Sequence, residues 1–162
     1  MSDASGSSGL THLDSRGAAR MVDVSGKDVT VRTARASAFV WTSPEVVAAL
    51  RSEGVPKGDA LAVARIAGIA AAKRTPDLVP LCHPVAIHGV TVDMEVRDTG
   101  VAITATVRTA DRTGVEMEAL TCVAVAGLTL IDMVKALDRA AVLTDVRVEE
   151  KTGGRRGSWR RG

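Results

Sequence analysis

Three acids and a lysine stand at the two ends of a long uncharged segment, and their side chains are well suited to chemistry. Glu116 and Glu118 open the segment and Asp132 and Lys135 close it, while 119–131 contains no charged residue. Polar residues would interrupt such a run in a surface helix, so we predict a helix buried on most sides. Ionisable groups beside a buried element are costly unless they are paired or used. The segment is therefore the first candidate for an active site.

The spacing of these residues on a helix limits how they can cooperate. Glu118 and Asp132 would lie within about 40° of each other around the helix but about 21 Å apart along its axis. Two side chains cannot close that distance onto one reacting atom. Either an elongated ligand spans the face, or a second subunit brings one helix end opposite the other, as a two-fold dimer does. We therefore hypothesise a composite site at a subunit interface.

Proton transfer is the chemistry that these residue types favour. An aspartate and a lysine side by side tune each other's pKa and can pass protons. His83 precedes Pro84, which restricts the histidine backbone to extended conformations and narrows the directions of its side chain. Such a histidine can transfer protons or orient a substrate.

Further residues suit a phosphorylated, nitrogen-rich substrate. Lys57 and Lys73 lie near the ends of a predicted helix, where an ammonium group can meet a phosphate as a point charge. A carboxylate such as Glu118 can accept two N–H donors from the edge of a guanidine-like ring.

Each group also has a purely structural interpretation, which spacing alone leaves open. Asp132 and Lys135 are placed as an i,i+3 ion pair, worth a few tenths of a kcal/mol. Acids in a first turn stabilise a helix N-terminus. A histidine before proline is often an ordinary loop residue, and lysines at helix ends are usually solvated.

The elements that must position these residues follow from hydrophobic periodicity and turn residues. Residues 1–9 are predicted to be a disordered N-terminal segment, 10–152 a single catalytic domain and 153–162 a basic flexible tail. The order strand, helix, strand, strand, helix, strand, with an extra short helix early, predicts an α+β fold: a ferredoxin-like antiparallel sheet with two long helices on one face. The predicted elements are a strand at 29–41, helices at 44–53 and 59–74, an irregular segment at 75–84, a hairpin of 86–97 and 101–108, a helix at about 118–139 and a strand at 142–150. Ser43 and Pro44 are the predicted N-cap and first residue of the first helix. In the second hairpin strand, the alternating residues Val101, Ile103, Ala105 and Val107 are predicted to face inward.

Composition excludes several classes of protein. Aromatic residues make up 2% of the 162 residues, so few side chains are available to stack on bases. Cys82 and Cys122 form neither a metal-binding spacing nor a disulfide framework. We find no signal sequence and expect no apolar run long enough to span a bilayer. These features predict a cytoplasmic protein.

Four long strings resemble the cyclic pyranopterin monophosphate synthase family, molybdenum cofactor biosynthesis protein C. They are MVDVSGK (21–27), ARIAGIAAAKRTPDLVPLCHP (64–84), TGVEMEALTCVAVAGLTLIDMVKA (113–136) and KTGG near 151. The resemblance implies a lyase that converts (8S)-3′,8-cyclo-7,8-dihydroguanosine 5′-triphosphate to cyclic pyranopterin monophosphate and diphosphate. It also implies a hexamer built as a trimer of dimers, with active sites at the dimer interface.

The resemblance assigns roles residue by residue. Asp132, Lys135 and Lys57 match the family's catalytic residues. The positions that match substrate-binding residues are Leu81, Cys82, His83, Glu116, Met117, Glu118, Lys73 and Lys151. No cofactor or resident metal is implied, apart from Mg²⁺ carried by the substrate triphosphate, and no nucleic acid or membrane partner is expected.

Two other classes of function remain as alternatives. One is a non-catalytic ferredoxin-like module that binds nucleotides or RNA, although such modules stack bases on sheet aromatics and the predicted hairpin has none. The other is an oligomerisation scaffold, which Ala-rich helices would suit. It predicts that substitutions at the candidate residues are harmless.

Overall fold

The central strand of the sheet, β1 (Thr30–Trp41), alternates fully buried residues with partly buried ones. Ala34, Ala36, Ala38 and Val40 are 0–4% exposed, because every second residue of a strand points to the same face. The computed structural model describes residues 11–52, 54–55 and 59–162. Lys57, predicted to be catalytic, lies outside the described residues.

In the part of the chain that the structure describes, eight further elements follow β1, and the predicted ferredoxin-like arrangement is confirmed. The elements are α1 (Pro44–Arg51), α2 (Ala60–Ala72), α3 (Thr75–Leu78), β2 (Ile87–Arg97), β3 (Gly100–Asp111), α4 (Glu116–Val134), β4 (Val142–Thr152) and β5 (Trp159–Arg160). The five-stranded antiparallel sheet has the order β2-β3-β1-β4-β5.

The predicted hairpin and the first helix are confirmed with small changes in their bounds. β2 and β3 pair along their length, and the four residues of β3 predicted to face inward are fully buried: Val101, Ile103, Ala105 and Val107. Ser43 caps α1 by accepting the N–H of Val46, and Pro44 occupies the first turn. A proline is tolerated there because the N–H that it lacks would have no partner in the helix.

The two long helices, α2 and α4, pack closely on one another because both are rich in small residues. Gly68 of α2 faces Cys122 and Ala126 of α4, and a Cβ on Gly68 would lie 2.8 Å from the Cys122 carbonyl oxygen. Any side chain at 68 would push the helices apart. Small residues thus set the distance between α4 and the rest of the core.

Two predicted boundaries are wrong. The segment 75–84 was expected to be irregular, but α3 begins at its start, with Pro76 in the first turn, where proline fits. The long helix ends at Val134 rather than near 139. Beyond it, the Asp138 carboxylate accepts hydrogen bonds from the Thr42 hydroxyl at 2.9 Å and the Ser43 N–H at 3.0 Å. This contact turns the chain towards the end of β1.

Helix α4 is shorter than predicted but more apolar along its length than expected. Its 19 residues include a window of mean hydropathy 1.7, enough by length and composition to cross a membrane. The expectation that no apolar run is long enough was therefore wrong. Half of that window is buried inside the fold, where α4 packs on α2 and the sheet, so α4 serves as the core helix.

Candidate functional site

A cleft of about 540 Å³ opens where the segment before β1, the loop before α4 and the end of β4 meet. Five of its lining residues carry basic side chains, Lys27, Arg32, Lys151, Arg155 and Arg156, and one carries a carboxylate, Glu116. Its volume is in the range of small-molecule and cofactor sites. The charge of its lining suits an anionic ligand.

His83 lies on the wall of this cleft, as predicted. Its Nε2 forms a short hydrogen bond with the Val22 carbonyl oxygen, so the loop before β2 is tied to the segment before β1. The ring also borders a second opening, lined by Asp23 and Arg112 among others. A ring held in this way can present its other nitrogen to a ligand, which is the orienting role predicted from the sequence.

Glu116 and Lys151 meet at the same cleft, although they are 35 residues apart in the chain. Glu116 is the first residue of α4, and Lys151 Nζ donates to its Oε1 at 2.5 Å. The side chains are only 25% and 30% exposed, so water screens this ion pair less than a surface pair. The structure therefore joins two of the predicted substrate-binding residues.

Glu118, in contrast, does not face open solvent. It is 3% exposed, and burial, followed by the negative charge of Glu116, raises its pKa to about 6. Burial, with a smaller contribution from Glu118, also raises the pKa of the Cys82 thiol, so Cys82 and Glu118 are close enough to interact. Two residues along a helix correspond to a rotation of about 200°, so Glu118 points away from the side of α4 that carries Glu116.

The raised pKa of Glu118 predicts a pH-dependent effect on stability in the Glu118→Gln variant. Below about pH 4.5 this carboxyl is protonated in both folded and unfolded chains. Above about pH 6 it is ionised in both, and the folded state bears the cost of a buried charge. Because glutamine has no such cost, we expect the variant's stability relative to wild type to rise by about 2 kcal/mol between pH 4 and 7.

Urea unfolding at fixed protein concentration would measure this difference. Glu95→Gln is the matched control, since its exposed ion pair with Arg97 lowers the pKa of that carboxyl. Its stability relative to wild type is expected to change in the opposite direction, falling as pH rises. A difference between Glu118→Gln and wild type that stays constant with pH would contradict the assignment.

Asp132 and Lys135 lie at the other end of α4, away from this cleft. Lys135 Nζ donates to Asp132 Oδ1 at 2.7 Å, and the two side chains are 57% and 55% exposed. By the helical rise, Asp132 is about 24 Å from Glu116 along the axis. One chain therefore does not bring the predicted acid–base pair together with His83.

The remaining predicted residues are distributed around α2, α3 and α4. Lys73 is exposed at the C-terminal cap of α2. Leu81 and Cys82 are partly buried in the loop after α3, and Met117 is 39% exposed on α4. In 11–52, 54–55 and 59–162, no group of three or more His, Cys, Asp or Glu side chains is placed to hold a metal ion.

Several cleft residues were not identified as site residues from the sequence. Lys27 ends the string MVDVSGK, which carried the family resemblance, so a signal for it was available. Arg32 occupies a polar position of β1 that carries no motif. Arg155 and Arg156 belong to the segment predicted to be a flexible tail. Only their position in the fold identifies them.

Known proteins match this chain over nearly its whole length. The MoaC family model matches residues 21–154. A protein from Streptomyces coelicolor named cyclic pyranopterin monophosphate synthase is 71% identical over 152 residues, covering 94% of this chain and 89% of that protein. A protein of the same name from Nocardioides sp. is 69% identical over 155 residues, covering 94% and 95%. One from Mycobacterium tuberculosis, named cyclic pyranopterin monophosphate synthase 2, is 60% identical over 152 residues, covering 94% and 91%.

Proposed function

The chain belongs to the MoaC family, and we propose that it catalyses the formation of cyclic pyranopterin monophosphate, the product in its relatives' names. The observation that carries this proposal is the identity of about 70% to proteins of that name over 94% of the chain. The substrate is (8S)-3′,8-cyclo-7,8-dihydroguanosine 5′-triphosphate, and elimination of diphosphate makes the enzyme a lyase. The reaction is an early step of molybdenum cofactor biosynthesis, in the cytoplasm.

The cleft supports binding of this substrate. Its basic residues suit the triphosphate, since arginine and lysine side chains form charge-assisted hydrogen bonds with phosphate oxygens. Glu116 and His83 at its wall are a carboxylate and an imidazole that can bond the nitrogen-rich rings. Leu81, Cys82 and Met117 would complete the binding site from the adjoining loop and helix turn. Glu118, which is 3% exposed, would support these residues without lining the cleft.

Acid–base chemistry is assigned to Asp132, Lys135 and Lys57. Rebuilding a purine as a pyranopterin requires repeated proton transfers, to which a carboxylate and an ammonium group in contact are suited. Departure of diphosphate requires its negative charge to be neutralised, which Lys73, Lys151 and Mg²⁺ carried by the substrate can do. No further cofactor is invoked.

A second copy of the chain would complete the site. The face of α4 that bears Asp132 also carries Leu128 one turn earlier, and Leu128 is 58% exposed. On the neighbouring helix α2, Ile66 is 68% exposed. Large apolar side chains on these packed helices favour a protein interface over a solvated surface. We therefore infer a dimer that places Asp132 and Lys135 of one subunit at the other's cleft, within a hexamer of three dimers.

The purified chain is expected to release one diphosphate for each pterin formed from the cyclised triphosphate. A phosphate-release assay with added pyrophosphatase would count diphosphate, and mass spectrometry would identify cyclic pyranopterin monophosphate. GTP, which lacks the bond between C8 and the ribose, is the matched control and is expected to be left unchanged. Failure to release diphosphate from the cyclised substrate would exclude this function.

One observation bears on the alternative of a non-catalytic RNA-binding module. Phe39 and Trp41 of β1 form an aromatic pair with ring centroids 4.8 Å apart, and Trp41 is 48% exposed. Such a pair at a strand end can stack on a base. Filter binding of single-stranded RNA at physiological salt would test this alternative against turnover of the cyclised triphosphate.

A further inference from the structure

The C-terminal segment forms a turn that holds two arginines at the cleft. The Gly157 N–H donates to the Gly154 carbonyl oxygen at 3.2 Å, so Arg155 and Arg156 are the two central residues of a turn. On either side, β4 and β5 pair, with Lys151 opposite Trp159. Arg155 and Arg156 both line the 540 Å³ cleft. The segment predicted to be a flexible tail thus contributes to the candidate site.

Contacts of Arg161 fasten the far side of this turn. Its backbone N–H donates to the Glu149 carbonyl oxygen at 2.8 Å and its Nε to the Val148 carbonyl oxygen at 2.8 Å. Its guanidinium also lies 5.5 Å from the ring centroid of Trp159. Because folding orders this backbone, less conformational entropy remains to be lost when a ligand binds to the turn.

Two glycines allow the chain to reach this position. Gly153 and Gly154 have φ values of +88° and +78°, a region that other residues adopt only with strain. A Cβ at Gly153 would lie 2.3 Å from the Val31 carbonyl oxygen, and one at Gly154 would lie 2.5 Å from Nη1 of Arg32. The backbone therefore rests directly on β1 and on the Arg32 guanidinium.

Arg32 is oriented by backbone carbonyls rather than by an acid. Its Nε donates to the Asp111 carbonyl oxygen at 3.1 Å and its Nη2 to the Arg112 carbonyl oxygen at 3.2 Å. Within 11–52, 54–55 and 59–162, no carboxylate forms an ion pair with the side chain of Lys27, Arg32, Arg155 or Arg156. Among the described residues, these four positive charges thus form no direct ion pair, whereas Lys151 is bonded to Glu116. After the hydrogen bond from the Arg112 N–H, which is the largest cause, the nearby charge of Arg32 also helps to lower the pKa of the Asp111 carboxyl.

We propose that the turn Gly154–Gly157 is a polyphosphate clamp, in which Arg155 and Arg156 bind the terminal phosphates of a triphosphate against Lys27 and Arg32. Planar guanidinium groups match phosphate oxygens in pairs, and the charge of the departing diphosphate is neutralised where it develops. The assignment of this triphosphate to the cyclised substrate rests on the proposed function. The clamp itself requires only a linear polyphosphate.

Titration calorimetry of the full chain with inorganic tripolyphosphate tests the clamp without any need for turnover. We expect the Arg155→Gln/Arg156→Gln variant to bind tripolyphosphate at least about tenfold more weakly than wild type, because it loses two charge-assisted contacts. Arg97→Gln/Arg160→Gln removes the same charge from exposed positions outside the cleft and is expected to bind within about twofold of wild type. Wild type is also expected to bind tripolyphosphate more tightly than inorganic phosphate.

Equal tripolyphosphate affinity in wild type and the Arg155→Gln/Arg156→Gln variant would overturn the clamp, as would equal losses in both double variants. Failure of the clamp can be distinguished from failure of the proposed function. If tripolyphosphate affinity falls as expected but wild type does not convert the cyclised triphosphate, the clamp stands and the proposed reaction fails. If wild type converts its substrate and the affinities are equal, the reaction stands and the clamp fails.

Discussion

Asp132→Asn is expected to lower turnover of the cyclised triphosphate by about 10²- to 10⁴-fold, the usual contribution of a general acid or base. Asparagine keeps the size of the side chain and its capacity for hydrogen bonds but cannot exchange a proton at neutral pH. Asp132 is more than half exposed and bonded to Lys135, so we expect a change in the free energy of unfolding within about 0.5 kcal/mol. Steady-state kinetics and urea unfolding would measure the two effects.

The comparison with Asp98→Asn separates a catalytic role from a structural one. Asp98 also forms an exposed ion pair, with Arg51 at 3.0 Å, in the turn between β2 and β3. If Asp132 only forms a surface ion pair with Lys135, both variants will keep wild-type turnover. Wild-type rates in Asp132→Asn would therefore remove Asp132 from the chemistry.

Mixing two inactive variants is expected to restore activity if the site is shared between subunits. In a dimer of one Asp132→Asn chain and one His83→Ala chain, one of the two sites combines an intact His83 with an intact Asp132. Random pairing makes half of the dimers mixed, so we expect about one quarter of wild-type activity per chain. Co-refolding the two variants and assaying diphosphate release would measure the recovery.

A mixture of Asp132→Asn and Lys135→Ala is the matched control for this experiment. Both substitutions lie at the same end of α4, so each site in a mixed dimer takes both positions from one chain and none is intact. No recovery is expected. If the mixture with His83→Ala also shows no activity above that of the parent variants, the site does not combine these residues from two subunits.

Local patterns predicted the elements well where the polarity repeated regularly, at every second residue in a strand or at every third and fourth residue in a helix. The alternation of β3 predicted the burial of Val101 and Ile103, and Ser43 with Pro44 predicted the start of α1. Helix ends were predicted less well. The end of α4 is accompanied by the bonds of Asp138 to Thr42 and Ser43, and residues nearly a hundred positions apart leave no sign in a local pattern.

The candidate site was predicted as a set of residue types and, through the family resemblance, as a set of positions. Glu116 and Glu118 were treated together because only Met117 separates them in the sequence. The structure separates them: Glu116 is bonded to Lys151 at the cleft, whereas Glu118 is 3% exposed. The rotation of about 100° per helical residue makes neighbours in the sequence face different surroundings.

The sequence by itself determined the order of the main strands and helices, without α3 and β5, the family and the kinds of chemistry that the side chains can perform. Each of these depends on the identity of residues and on their spacing along the chain. The tertiary structure decided which charges share a cleft: Arg32 from the first strand, Glu116 from the last long helix, and Arg155 and Arg156 from a turn near the C-terminus. Packing on Val31 and Arg32 at two glycines of positive φ brings that turn to the cleft, and the distances between such remote segments exist only in the folded chain.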